Sequence, residues 1–201
     1  MDKMLLRMRA SIYFNIPNLM GYLRILLIPV FLVLYVRATG QTGRSGYGAA
    51  FLALALSFLT DFLDGKIARK FDMITDFGKA LDPVADKLTQ AALAVAILFR
   101  YPSMLYFLIL FAVKELYMGV MGLYLIRKGK GINGARSYGK ICTAVTDIGC
   151  FVLLLFTDLS YFIGYLMIAV MMLVMLISFV KYIRFHISVL KEDIRNSTRR
   201  G

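Results

Sequence analysis

The chain has 201 residues, 60% of them hydrophobic, and a mean hydropathy of +0.72, against roughly 45–50% apolar content in a soluble domain. That excludes a water-soluble globular protein and places the chain in a bilayer, with room for roughly six spans of about 20 residues each. The net charge of +12 does not mark a nucleic-acid partner, because the basic residues are scattered among apolar segments rather than gathered on one face.

Residues 1–16, MDKMLLRMRASIYFNI, mix Met and Leu with Lys3, Arg7 and Arg9. This pattern fits a short amphipathic N-terminal segment on an anionic leaflet, with a flexible basic tail as the plainer alternative. Arg7 and Arg9 interrupt the apolar run, so no cleavable signal peptide is expected and the N-terminus is expected to stay cytoplasmic. Asn15-Ile16-Pro17-Asn18 then reads as a helix start with Pro17 close to the first turn. Span 1 is predicted over 18–36 and carries one buried charge, Arg24.

A Gly- and Ser-rich loop, 39–48, precedes span 2 at 49–68, which begins as pure packing sequence and turns acidic at Asp61. The short connection RKFDMITD predicts an antiparallel hairpin of spans 2 and 3. Span 3 covers 78–99, with Pro83 near its start, where a missing amide does least harm. A turn at 100–103 leads into span 4, 104–126, which contains Lys114 and Glu115. Next come a basic loop at 127–140, whose glycines allow close backbone approach, span 5 at 141–156 and span 6 at 161–180.

Cys142 and Cys150 fall in span 5, eight residues apart. That spacing suits neither a CxxC redox site nor a zinc site, so they are read as buried packing residues. The predicted fold is an all-α polytopic membrane protein of six transmembrane helices. Its parts are a juxtamembrane segment at 1–16, a six-helix domain at 17–186 and a basic cytoplasmic tail at 187–201.

Lys and Arg are unevenly shared between the two faces that six spans create. One face receives Lys3, Arg7 and Arg9, then Lys66, Arg69, Lys70 and Lys79, then the basic loop with Arg136 and Lys140, and finally the C-terminal basic residues; the other has Arg37, Arg44 and Arg100. The positive-inside rule therefore puts both termini and the 66–79 connection on the cytoplasmic side.

Four carboxylates break the hydrocarbon: Asp61 and Asp64 three apart, Asp82 and Asp86 four apart, each pair in register on one helix face. An ionised Asp at the centre of a span costs about 2.5–3.5 kcal/mol on insertion scales, so the group needs compensation. Hard divalent cations supply it, and two such ions are a way of holding a diphosphate during phosphoryl transfer. Gly65 and Gly78 remove side chains where helices or a nucleotide come close, Ala68 keeps the same face small, and Arg69 is placed to pair with phosphate or with an aspartate. Arg24 has two readings, contact with phosphate or neutralisation of the acidic cluster. Asp147 in span 5 reads first as a helix-pairing residue, and His186 as an interfacial residue with no chemical role.

At these residues the sequence resembles the CDP-alcohol phosphotransferases, whose pattern is D-x2-D-G-x2-A-R-x8-G-x3-D-x3-D; Asp61, Asp64, Gly65, Ala68, Arg69, Gly78, Asp82 and Asp86 satisfy every fixed position. The stretches NIPNLMGYLRILLIPVF and LDPVADK, together with Lys114-Glu115 and Gly139-Lys140-Ile141-Cys142-Thr143, are similar to the bacterial phosphatidylglycerophosphate synthases and the CMP-forming cardiolipin synthases. Gly21 stands where that branch commonly has Thr, and Lys114 where it commonly has Arg.

The resemblance implies six transmembrane helices, a homodimer, and transfer of a phosphatidyl group from CDP-diacylglycerol to a small phosphorylated alcohol with release of CMP. It further implies two Mg2+ or Mn2+ ions held by Asp61, Asp64, Asp82 and Asp86, with Asp86 also the general base. CDP binding then falls to Asp61, Gly65, Ala68, Arg69 and Gly78, and the acceptor phosphate to Lys114, Arg136 and Lys140, with sn-glycerol 3-phosphate the acceptor expected. The readings weighed against this are cardiolipin synthesis, transfer to another alcohol and, outside the enzymes, a divalent-cation transporter; the last leaves Gly65, Ala68, Arg69 and Gly78 without a shared purpose.

Overall fold

The computed structural model describes residues 15–39, 44–73, 75–128 and 137–198. Among these, all regular structure is helical. Six long helices follow one another: α1 Ile16–Thr39, α2 Gly48–Lys70, α3 Asp76–Leu98, α4 Met104–Arg127, α5 Ser137–Leu155 and α6 Tyr161–Thr198, with a 3-10 turn at Arg44–Tyr47 before α2. Each coincides with a predicted span. The N-terminal segment expected to be amphipathic lies outside the described residues up to position 14, as does Arg136.

Five helices, all but α3, are long and apolar enough to cross a membrane, and the chain is an integral membrane protein. The third expected span is as long as its neighbours but too polar to qualify, because Asp76, Lys79, Asp82, Asp86 and Lys87 crowd its first half. Pro83 does not sit in the first turn of α3 as expected; the helix begins at Asp76, so Pro83 withholds an amide two turns in. The last helix continues through the polar residues after Val180 as far as Thr198.

The chain divides into two compact units, residues 1–99 and 100–201. In the first, α1 is central. It packs along both α2 and α3, more extensively than those two pack on each other, where direct meeting of the two motif helices was expected. The buried residues of α1, Asn18, Gly21, Arg24, Ile28, Phe31, Tyr35 and Ala38, recur every three or four positions. Leu19, Leu23, Leu26, Val30 and Val33 lie on the exposed side, as a lipid-facing surface requires. Gly21 is buried where α1 meets α3: a Cβ there would stand 2.9 Å from Leu81 Cδ2, so a larger residue would require that leucine to shift.

In the second unit α6 packs on both α4 and α5. Its Ile168, Met171, Met175, Ser178, Tyr182 and His186 are buried at the same three-to-four spacing. Gly149 of α5 lies against Met171, and Gly139 against Tyr182, each too close for a side chain. Cys142 and Cys150 are free and buried, as expected of packing residues.

Candidate active site

The site is assembled at one end of the first unit, where three local devices fix the chain. Asn15 caps α1: its Oδ1 accepts from the Asn18 amide at 2.9 Å, while its Nδ2 donates to the Met73 carbonyl at 3.1 Å in the α2–α3 connection. Helix α2 ends in a Schellman pattern, with the Met73 amide donating to the Ala68 carbonyl at 3.0 Å and Asp72 at φ 52. Asp tolerates this left-handed position better than most residues. Thr75 then caps α3, its Oγ1 accepting from the Gly78 amide at 3.0 Å.

Asn18 links two of these devices. Buried at 2% exposure, it donates from Nδ2 to Thr75 Oγ1 at 3.2 Å. A Cβ on Gly78 would lie 2.7 Å from Asn18 Oδ1, so Gly78 is a glycine because α1 presses a polar side chain against it. Gly65 differs, since a Cβ there would meet only the Arg69 guanidinium, at 3.6 Å. Packing leaves space at Gly65.

That space belongs to a cleft of about 160 Å³. Gly65, Ala68 and Arg69 line it from α2, Gly78 and Asp82 from α3, and Asn18 from α1. Of the five residues expected on the nucleotide side, Gly65, Ala68, Arg69 and Gly78 thus border one opening, beside Asp64, while Asp61 is not among its lining residues and pairs with Arg24 instead. Asn18 and Thr75 also border it; in the sequence only the helix-start signal at residues 15–18 pointed to that end of α1, and nothing in it paired Asn18 with a threonine 57 positions away.

The carboxylates gather around Arg24. Its Nη2 pairs with Asp61 Oδ1 and, at 2.9 Å, with Asp64 Oδ2; its Nη1 pairs with Asp86 Oδ1 at 2.9 Å. Arg24 is 2% exposed and Asp64 5%, whereas Asp61 and Asp86 are exposed and Asp82 lines the cleft. Of its two readings, Arg24 therefore neutralises the acidic cluster. Among the described residues no three His, Cys, Asp or Glu side chains are arranged as a metal-binding group. The donor set nevertheless fits a hard divalent ion, for it is all carboxylate oxygen and three of its four members already converge on one cation.

The residues expected to take the acceptor phosphate belong to the second unit. Lys114 is buried in α4, with Nζ 2.7 Å from Glu115 Oε1, while Lys140 is exposed on α5. Asp147 is half-buried on α5. His186 is packed inside the second unit: it is 5% exposed, its Nδ1 lies 3.3 Å from Tyr117 Oη, and the Tyr182 ring packs nearby. It falls on the buried stripe of α6, which continues past the apolar window with the spacing of Ser178 and Tyr182.

A membrane-embedded helical unit with an aspartate-lined cleft and the eight-residue motif defines a class. Residues 14–180 match the CDP-alcohol phosphatidyltransferase family, and the chain belongs to that family of enzymes. It is 35% identical over 151 residues, 71% of this chain and 77% of the relative, to the CDP-diacylglycerol–glycerol-3-phosphate 3-phosphatidyltransferase of Bacillus subtilis strain 168. It is 46% identical to the enzyme of the same name from Pseudomonas fluorescens over 81 residues, spanning only 40% of that protein's length. The CMP-forming cardiolipin synthase of Streptomyces coelicolor is 33% identical over 158 residues, 79% of this chain and 73% of that one.

Proposed function

We propose that the protein transfers a phosphatidyl group from CDP-diacylglycerol to sn-glycerol 3-phosphate, forming phosphatidylglycerophosphate and CMP. The observation that carries the reading is the convergence of Asp61, Asp64 and Asp86 next to a cleft bordered by Gly65, Ala68, Arg69 and Gly78. The relatives' names favour glycerol 3-phosphate among possible acceptors.

In this reading Asp61, Asp64, Asp82 and Asp86 hold two Mg2+ or Mn2+ ions, which when bound polarise the diphosphate and offset the charge of the transferring phosphoryl group. Asp61, Gly65, Ala68, Arg69 and Gly78 take the CDP portion. The two glycines and Ala68 leave room for it, and the Arg69 guanidinium is of the kind that binds phosphate oxygens in pairs. Asp86, exposed on α3, accepts the proton of the acceptor hydroxyl as that oxygen attacks the lipid-side phosphorus and CMP leaves. Lys114, Arg136 and Lys140 attract the acceptor dianion. The protein works as a homodimer in the cytoplasmic (inner) membrane, with both termini and the site on the cytoplasmic side.

Cardiolipin synthesis is the second reading, favoured by the similarity to the Streptomyces enzyme. One assay separates them: purified protein, CDP-diacylglycerol, Mg2+ or Mn2+ and a panel of acceptors, followed by CMP release and product mass. Glycerol 3-phosphate is expected to give phosphatidylglycerophosphate. Cardiolipin formed from phosphatidylglycerol alone transfers the assignment to the second reading, and no CMP release with any acceptor removes both.

A further inference from the structure

Arg24 sits where an ordinary metal-site description has no place for a cation of the protein's own. Its guanidinium is buried, and the lone pairs it occupies belong to Asp61, Asp64 and Asp86, three of the four carboxylates proposed to hold metal. Arg24 engages one oxygen of each carboxylate, and a divalent ion taken by the same side chains would bring two cations to close range, where they repel. Without a counter-ion, in turn, three carboxylates gathered in a membrane protein would repel one another, and Asp64, at 5% exposure, would be a buried charge with no partner.

The arrangement also leaves Arg24 incompletely held. Among the described residues its buried Nε has no hydrogen-bond partner, although buried donors are nearly always satisfied. Among the described residues the carboxylates hold the guanidinium, and no backbone carbonyl or side-chain amide accepts from the base of the fork. Helix α1 delivers it from a different element than the motif helices α2 and α3, so the guanidinium ties three helices together through their side chains.

We propose that Arg24 is an internal stand-in for the metal: it gathers and neutralises the carboxylates when no metal is bound and is displaced from them as divalent metal loads. Arg24 is thus a positioning residue that keeps the motif helices in register when no metal is bound and lowers the affinity for metal. The inference rests on the proposed metal binding by the same aspartates. It predicts that removing the guanidinium tightens metal binding, whereas a purely structural ion pair predicts the reverse, because losing it would scatter the ligands.

The test is Mn2+ binding to the purified full-length protein, read from the electron paramagnetic resonance signal of free Mn2+, for the wild type, Arg24→Met and Arg24→Lys. Arg24→Met is expected to lower the Mn2+ Kd about tenfold or more, on the scale of one lost close charge. Arg24→Lys, which keeps the charge but not the two-pronged contact, is expected to lower it by less, and it serves where Arg24→Met does not fold. In chelator, Arg24→Met should melt well below the wild type, and saturating Mn2+ should narrow the gap. A Kd unchanged or raised in the folded variants overturns the stand-in role while leaving metal binding intact. Absence of Mn2+ binding in every form, wild type included, overturns the metal reading and this inference with it.

Discussion

Gly65 and Gly78 occupy equivalent-looking places in the motif, one after Asp64 and one before Asp82, yet the structure gives them different reasons to be glycine. Gly78 yields to Asn18, whose Oδ1 would be 2.7 Å from an added Cβ and whose side chain is tied to Thr75. Gly65 borders the cleft and has room for a methyl group. Gly78→Ala should therefore cost about 1–3 kcal/mol by overpacking, read as a lowered melting temperature, with part of the loss recovered by Asn18→Ala. Gly65→Ala should leave the melting temperature unchanged and raise the KM for CDP-diacylglycerol about tenfold, the scale of one badly placed methyl group. If both variants melt like the wild type, the distinction fails. At this scale the acidic residues were legible because charge is conspicuous in hydrocarbon. Arg24 was visible as a charge, but its partners lie 37 to 62 positions away, and no periodicity within one helix reports a contact between helices.

Among the elements, α3 is the one whose character the sequence obscured. Its register as a helix followed from the Asp82–Asp86 spacing, but its charged first half keeps it out of the group of plainly apolar spans. What secures that half is the cap. Thr75 Oγ1 satisfies the Gly78 amide and also engages buried Asn18, so one hydroxyl fixes the start of α3 against α1. Thr75→Ala is expected to destabilise the protein by about 0.5–2 kcal/mol, as for other lost caps, and to speed hydrogen exchange at the Gly78 amide. Thr75→Ser, which keeps the hydroxyl, should restore both, and an Ala variant with unaltered exchange would count against the cap. The end of α6 was hidden for a related reason: hydropathy falls after Val180, but the buried stripe of Ser178, Tyr182 and His186 continues with helical spacing. Period outlasts polarity there, and a reading by hydropathy stops too early.

Over the whole molecule, length and composition were enough for a helical membrane protein, since a bilayer leaves few other ways to satisfy the backbone. Which helix would stand centrally in the first unit was not legible, because the buried stripe of α1 says that a face is covered without saying by what. The distribution of Lys and Arg carries the proposed orientation. In cells, Met73→Cys and Lys191→Cys should react with a membrane-impermeant thiol reagent only from the cytoplasmic side, and Asp158→Cys only from the opposite one, the native Cys142 and Cys150 being buried. Labelling of Lys191→Cys from outside would reverse the assignment. The central claim is that the Asp61–Asp86 stretch performs the transfer. Its most direct measurement is CMP release by Asp86→Asn beside CDP-diacylglycerol binding by the same variant. Loss of a general base predicts turnover reduced about 100-fold or more, with binding kept within a few fold; turnover equal to the wild type would contradict it.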